Sequence, residues 1–324
     1  MENRIKENNT ALPSKITIGI CTYNRAESLA RTLESLSKLK QAPERYEIYV
    51  VDNNCTDQTF EVVEKARTLF LCPLKYIKEP RQGLSAARNR VIAESQSEII
   101  AFTDDDVLID SEWLVNILKA YGRWPDAAVI GGRSSLLFKN EVPNWIGSSE
   151  KQNLCELDFG VKPIRLEKDQ FLLGLNLSIK REWFARVGAF NENLGRVGSH
   201  LSSSEETEFL ERVYEKGGKV YYDPDLYVQH VISPERLRKS WFVFLSYSSK
   251  RTSLRKRFIR DGRLELDIAK KIKEFGISIL KLAIVSVTKG IRDREAFELL
   301  RTSASKWAEI REYWHCKFNA GRLS

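Results

Sequence analysis

Between residues 16 and 130, short β-type apolar runs alternate with stretches of helical periodicity, and this rhythm constrains the fold more than any other feature. Residues 16–21 (ITIGIC), 46–51 (YEIYVV), 74–77, 99–103 and 127–130 read as strands. Helical spacing over 25–40, 57–70, 85–95 and 111–121 fills the intervals, with Leu29, Leu33 and Leu36 on one face of the first helix. Short apolar strands alternating with helices predict a mostly parallel sheet covered on both faces. Ligands of such sheets sit at the carboxyl ends of the strands, so the residues that end each strand are the first candidates for function.

Those strand ends are polar. The first runs into Thr22-Tyr23-Asn24-Arg25, the second into Asp52-Asn53-Asn54, the fourth into Asp104-Asp105-Asp106. Thr22 or Asn24 would cap the first helix and Thr56 or Asp57 the second, or they would contact a ligand; the residues alone leave both readings open. Asp52 has no helix start beside it, and its predicted task is to accept hydrogen bonds from a ligand ring or ribose. Three adjacent carboxylates repel one another, which makes the triplet costly without a cation. In extended chain Asp104 and Asp106 would face one ligand, and oxygen ligands suit Mg²⁺ or Mn²⁺ held jointly with substrate phosphates. The competing reading is a solvated acidic turn before a helix capped by Asp110 or Ser111. Gly83 opens the third helix (GLSAARN), which places Arg88 to reach a phosphate or to hold the acidic triplet.

After Gly132 the pattern loosens: 171–179 reads as a strand, 181–187 and 205–215 as helices, 220–222 and 227–232 as short β pieces. On the 205–215 helix, Glu206, Phe209, Leu210 and Val213 form one stripe, which predicts Glu206 inward and Glu205 at the border. Ser203-x-x-Glu206 also fits a capping box. From 235 onward the pattern is helical. This tail holds 22 Lys/Arg against 10 Asp/Glu, about +12, which leaves about −4 for residues 1–234 of a chain whose net charge is +8. No basic surface interleaved with stacking aromatics is recognisable, so nucleic acid is not an expected partner.

Together these segments resemble the family 2 glycosyltransferases, inverting enzymes of the GT-A fold. The matching stretches are ITIGICTYNRAESLARTLESL, EIYVVDNNCTDQT, GLSAARN, IIAFTDDDV, LLGLNLSIKREWFARVGAFNENLG and SSSEETEFLERVYEKGGKVYYDPDLYVQH. The resemblance covers roughly residues 15–232 and implies a Rossmann-like, mostly parallel sheet with flanking helices. With the helical C-terminal region read from the residue pattern, the chain is expected to divide into a flexible 1–14, a catalytic domain over 15–234 and a basic helical 235–324. It implies transfer of a sugar from a nucleotide-diphosphate donor, by default a UDP-sugar, to a hydroxyl of a sugar or lipid-linked acceptor in polysaccharide or glycolipid biosynthesis. Thr22, Asn24 and Asp52 look like contacts to base and ribose, joined around the donor by Tyr23, Arg25, Asn53, Gly83, Arg88 and Asp105. Asp104 and Asp106 look like the aspartates of the DXD motif, with His230 near the metal (Mn²⁺ or Mg²⁺) and the diphosphate. Gly174-Leu175-Asn176 resembles the loop beside the donor sugar. The family's base motif usually reads Glu-Asp; here it is Glu205-Glu206, with Glu206 in the position of the base.

Two other functions compete. A nucleotidyltransferase would want a glycine-rich phosphate loop after the first strand, where TYNRAES has none. A retired nucleotide-binding scaffold has the Glu-Glu departure as its support.

Five scattered cysteines, without a Cys-x-x-Cys pair, argue against a disulfide framework or a zinc site. The polar first ten residues and an apolar run over 275–288 that Lys281 breaks predict a cytoplasmic protein. For residues 264–286 two expectations stand: a peripheral helix on the inner face of a membrane, or a helix that packs on the core. Trp241, Phe242 and Phe244 fit either.

Overall fold

The computed structural model describes residues 15–198, 201, 204–290 and 293–318. The segment 1–14 expected to be flexible, and Ser203 of the expected capping box, lie outside the described residues. Four strands form a parallel block in the order β3 (Leu74–Lys78), β2 (Tyr46–Asp52), β1 (Ile16–Thr22), β4 (Ile99–Asp104). Their connections are α1 (Ala26–Leu36), α2 (Thr59–Ala66) and α3 (Leu84–Glu94).

Beyond β4 the sheet becomes mixed. β5 (Val107–Ile109) follows at once, then α4 (Trp113–Arg123), β6 (Ala127–Phe138), α5 (Ser148–Asn153), β7 (Ile164–Arg165), β8 (Leu177–Lys180), α6 (Glu182–Val187), α7 (Glu205–Glu215) and β9 (Lys219–Ile232). The sheet continues β4-β8-β6-β9-β5: β8 is antiparallel to β4 and β6, while β6 and β9 are parallel.

The apolar runs of β1 and β2 are buried on both faces, as a covered parallel sheet demands, and Thr17 and Glu47, which interrupt them, bond to each other at 3.0 Å. Ile16, Ile18 and Ile20 pack with Leu29, Leu33 and Ile117 on one side. Tyr49, Val51, Val91, Phe102 and Phe209 form the core of the other side. Gly19 faces α3, where a Cβ would come within 2.8 Å of Val91, so that helix lies close against the sheet.

Three local expectations change. The pieces 220–222 and 227–232 are one strand, and the 127–130 strand runs on to Phe138. Their pairing steps from Gly132 opposite Asp223 to Arg133 opposite Tyr227. Asp-Pro-Asp at 223–225 reads as a turn in sequence, yet the bulge accommodates Pro224, which has no N–H for the ladder. Residues 171–173 are not a strand; a 3₁₀ turn at Gly174–Asn176 leads into β8. β5, β7 and α5 are too short to leave a periodic signal.

The C-terminal region is three helices, α8 (Lys239–Asp261), α9 (Ile268–Lys289) and α10 (Arg294–Phe318). Buried Glu312 of α10 accepts from Arg251 Nε at 2.7 Å and Arg255 Nε at 2.8 Å, which ties α10 to α8. Phe242 and Phe297 pack edge-on against Trp145, and Arg301 Nη1 donates to buried Glu150 at 2.9 Å, so the helices seat on the α/β unit. Phe242 is therefore a core residue. Among the described residues no helix is long and apolar enough to cross a membrane.

Gly132 carries the bulge: a Cβ there would lie 2.0 Å from the Leu226 carbonyl oxygen and 2.8 Å from Asn176 Nδ2. Gly132→Ala is expected to destabilise the protein by at least ~2 kcal/mol, because backbone must move to admit one methyl. Urea unfolding of the variant beside the parent measures it.

Candidate active site

The carboxyl ends of β1, β2 and β4 open into a cavity of about 380 Å³, lined among others by Thr22, Tyr23, Arg25, Asn53, Arg88, Asp104, Asp105, Gly174, Glu205 and Glu206. Loops, α3 and α7 build its floor. Tyr23 is 39% exposed at the rim.

Arg88 is the hub. It is buried, and its guanidinium lies 5.9 Å from the Phe102 ring and 5.6 Å from that of Phe190. Its Nη1 donates to Glu205 Oε1 at 3.0 Å and Glu206 Oε1 at 2.8 Å, while Nη2 lies 3.6 Å from Asp104 Oδ1. Gly174 closes over this network; a Cβ there would fall 2.2 Å from both Arg88 Nη2 and Glu206 Oε1.

Phe209, Leu210 and Val213 form the buried stripe predicted for α7, but the glutamate that joins it is Glu205 and not Glu206. Glu205, Phe209 and Val213 share the buried face at i, i+4 spacing, and Glu206 stands at the border with its side chain 17% exposed. The Arg88 charge makes the burial of Glu205 tolerable. Burial, then the neighbouring Glu206 charge, push the Glu205 carboxyl up to about 8. Burial pushes Glu206 up as well, but the Arg88 charge and the hydrogen bonds it receives outweigh this and hold it below the usual carboxylate range. Near neutral pH the pair therefore holds one proton, on Glu205, and Glu206 faces the cavity as a carboxylate.

The acidic triplet is a turn rather than extended chain, so the expected alternation ends at Asp104. Asp104 faces the cavity toward Arg88. Buried Asp105 accepts from Thr22 Oγ1 at 2.7 Å and Arg25 Nη1 at 3.0 Å. Asp106 turns to an adjoining cleft of about 460 Å³ that Asn24, Arg25 and Arg236 also line. Its Oδ2 accepts from Arg25 Nη1 at 2.8 Å and Arg236 Nη2 at 2.9 Å; its buried Oδ1 has no hydrogen-bond donor and lies 3.3 Å from His230 Nε2. Among the described residues no three His, Cys, Asp or Glu side chains form a metal-binding group, so Asp104 is not gathered with Asp106 and His230.

Asp106 and His230 suit a divalent cation that completes its shell with phosphate oxygens on one condition, that Arg236 swings off His230 Nε2 and frees its lone pair. His230 Nδ1 donates to the Leu154 carbonyl at 2.7 Å, which fixes the ring and turns Nε2 toward Asp106. The Arg236 guanidinium, whose Nη1 donates to that Nε2 at 2.7 Å, supplies the positive charge between the two.

Other expected contacts have internal tasks. Asp52 accepts from Cys55 N–H at 2.6 Å and from the Tyr76 hydroxyl, one bond on each oxygen, and so ties its loop to β3. Asn53 accepts from Gly83 N–H at 2.7 Å and donates to the Glu79 and Arg81 carbonyls, which pins the entry to α3, where Gly83 has φ +141°. Asn24, at φ +52°, accepts from Thr56 N–H at 2.7 Å. The capping expected of Thr22 or Asn24 falls to Asp57, which accepts from Ala26 N–H at 2.8 Å across the loop. Buried Asn176 accepts from Trp113 Nε1 and donates to the Arg133 and Leu226 carbonyls; it braces the bulge, and only Gly174 and Leu175 of its turn line the cavity.

Sequence reading missed Arg236, whose charge merged into the basic tail, and Arg196, Gln152, Leu245 and Ser249, which also line the cavity. Leu245 and Ser249 belong to α8, so the boundary expected at 234/235 passes through the site. A basic residue six positions after a strand-terminal histidine was the available signal for Arg236.

The Glu205 carboxyl, raised from its ordinary 4.5 to about 8, keeps in the fold a proton that the unfolded chain gives up. Its contribution to stability is complete below pH about 4.5 and is lost as pH rises through about 8. Glu205→Gln should flatten that decline and raise the melting temperature at pH 8 by at least ~2 °C. Melts across pH 5–9 test it, and an unchanged slope would mean that Glu205 is ionised in the native protein.

The comparisons with known proteins agree with this architecture. The sequence model of glycosyl transferase family 2 matches residues 17–175. The glucosyl-dolichyl phosphate glucuronosyltransferase of Haloferax volcanii is 27% identical over 72% of this chain and 74% of its own length. The succinoglycan biosynthesis protein ExoM of Rhizobium meliloti is 27% identical over 73% of each. Among solved structures, the Pyrobaculum calidifontis mannosyltransferase PcManGT, in complex with GDP-Man and Mn²⁺, superposes with TM-score 0.57 at 17% identity, covering 97% of this chain and 77% of that one. S. aureus TarS 1–349 with UDP gives TM-score 0.54 at 17% identity over 96% and 92%. The fold is that of the GT-A transferases, and residues 17–175 belong to glycosyl transferase family 2.

Proposed function

We propose that the chain is an inverting, metal-dependent glycosyltransferase that uses Glu206 as its base. The observation that carries this reading is Glu206, held by Arg88 Nη1 at 2.8 Å at the border of a cavity that Asp104 also lines, with Asp106 at the adjoining cleft 3.3 Å from His230 Nε2.

The acceptor hydroxyl gives its proton to Glu206 as its oxygen bonds to the anomeric carbon, while the bond to the diphosphate breaks on the opposite face. One displacement inverts the centre. Arg88 fixes the Glu206 carboxylate and favours its ionised form, and protonated Glu205 beside it adds no second negative charge. Glutamate in the aspartate's place brings the carboxylate one methylene further, and Gly174 leaves it room. Asp106 and His230 would hold the divalent ion, Mn²⁺ or Mg²⁺, with Asp104 directed to the donor ribose. The ion supplies charge neutralisation on the leaving diphosphate. Thr22, Asn53 and Tyr23 form the wall for base and ribose; Arg25 and Arg236 lie where diphosphate charge would gather.

UDP-sugar is the default donor. The fold neighbours PcManGT and TarS are complexed with GDP-Man and with UDP, which supports a nucleotide-sugar donor. The names of the two relatives support polysaccharide or lipid-linked glycan synthesis. The transferase unit is residues 15–234, completed by α8 of the C-terminal region.

Stabilisation against thermal unfolding by UDP, GDP, CDP and dTDP, with and without Mn²⁺, tests the donor site. One diphosphate is expected to stabilise only with metal, and His230→Ala to abolish that dependence. No stabilisation by any of them would instead indicate a retired scaffold. Glu206→Gln should lower the transfer rate about 10²–10⁴-fold and leave nucleotide stabilisation intact; transfer at the parental rate would remove Glu206 from its role.

A further inference from the structure

Helix α9 leaves an apolar face without a partner among the described residues. It packs through Phe275 on Trp307 and through Ser278 on Ser303 of α10, where Lys271 also pairs with Glu309 at 3.1 Å. The opposite face presents Ile277, Leu280, Ile284 and Val287, 47% to 87% exposed, together with exposed Gly276 and Ala283. Ile272 and Ile279 border this stripe and are also exposed. An apolar stripe of three turns on the solvent side of a helix is beyond the scattered exposure that globular surfaces carry.

The charges around the stripe have one sign. Between Ile268 and Lys289 the helix holds five lysines and a single acid, Glu274, which is engaged by Lys271 and Lys306. Exposed Lys270, Lys273 and Lys281 flank the apolar residues and form no ion pair among the described residues. A second copy on this face would bring lysines against lysines. An anionic lipid surface would accept the apolar residues between its headgroups and match the lysines with phosphate charge.

We infer that α9 docks this protein peripherally on an anionic membrane, lying in the interface with Leu280, Ile284 and Val287 inserted and Lys270, Lys273 and Lys281 at the headgroups. The inference rests on this surface alone and is independent of the transfer chemistry.

Sedimentation of the full chain with vesicles tests it. Vesicles of phosphatidylcholine with phosphatidylglycerol are expected to carry the protein down, and those of phosphatidylcholine alone to leave it in solution, with binding weakened by salt. Leu280→Asp with Ile284→Asp should reduce binding at least tenfold, and Lys270, Lys273 and Lys281 replaced by Ala several-fold. All five substituted positions are exposed on or beside the face, and far-UV circular dichroism checks that the helices persist. Failure to sediment with either vesicle, or equal binding by the Asp variant, overturns the inference. A dimer in light scattering that the same Asp variant dissolves would also overturn it, because a second copy would then own the face.

Discussion

The site depends on one buried cation. Arg88 lies beside two phenyl rings, and a guanidinium there is tolerable only because Glu205, Glu206 and Asp104 reach it. The relation is reciprocal, since three carboxylates from two distant parts of the chain would repel one another without it. Arg88 thereby fixes α7 against α3 and the end of β4, and decides which glutamate keeps a proton. A glutamine partner for either carboxylate would still fill space, whereas a neutral residue at 88 would leave buried charge with no counterpart.

A second pair of arginines does similar work around Asp106. Arg25 and Arg236 come from the first strand end and from the turn after β9, and both donate to the same oxygen. The other oxygen, unpaired beside His230, is the one buried acceptor of the triplet without a donor. Charge is thus balanced on the occupied side of Asp106 and left open on the side that faces the imidazole.

Much of this was legible in the sequence because parallel strands announce themselves as apolar runs and end in polar residues. Thr22, Asn53, Arg88, Asp104 and Glu206 all came from that logic or from the resemblance, and all line one cavity. Side-chain assignments within a strand end were less legible. Asp52 and Asn176 are polar residues in the right places whose hydrogen bonds reach the protein's own backbone and side chains, and no pattern of residue types reveals that. The glutamate on the inward face of α7 was misread by one position because burial of a glutamate is decided by a partner more than a hundred residues away. Arg236 and α8 were hidden for the opposite reason: a strongly basic tail looks the same whether its charges meet water or a buried aspartate.

The topology also sets an order of assembly. Among the described residues β5 has β9 as its only strand partner, though β5 directly follows the acidic turn and β9 lies about a hundred residues later. During synthesis, β1 to β4 and their helices emerge first and can form their parallel block with local contacts. The turn at Asp105-Asp106 then waits, held on one side by α1, until β9 arrives to pair with β5 and bring His230. Only later does α8 supply Leu245 and Ser249 to the cavity wall. A chain interrupted in its middle would carry the strand-end loops without the elements that close the cavity. Such a fragment would leave Asp106 without His230 and Arg236 and Arg88 without its two glutamates.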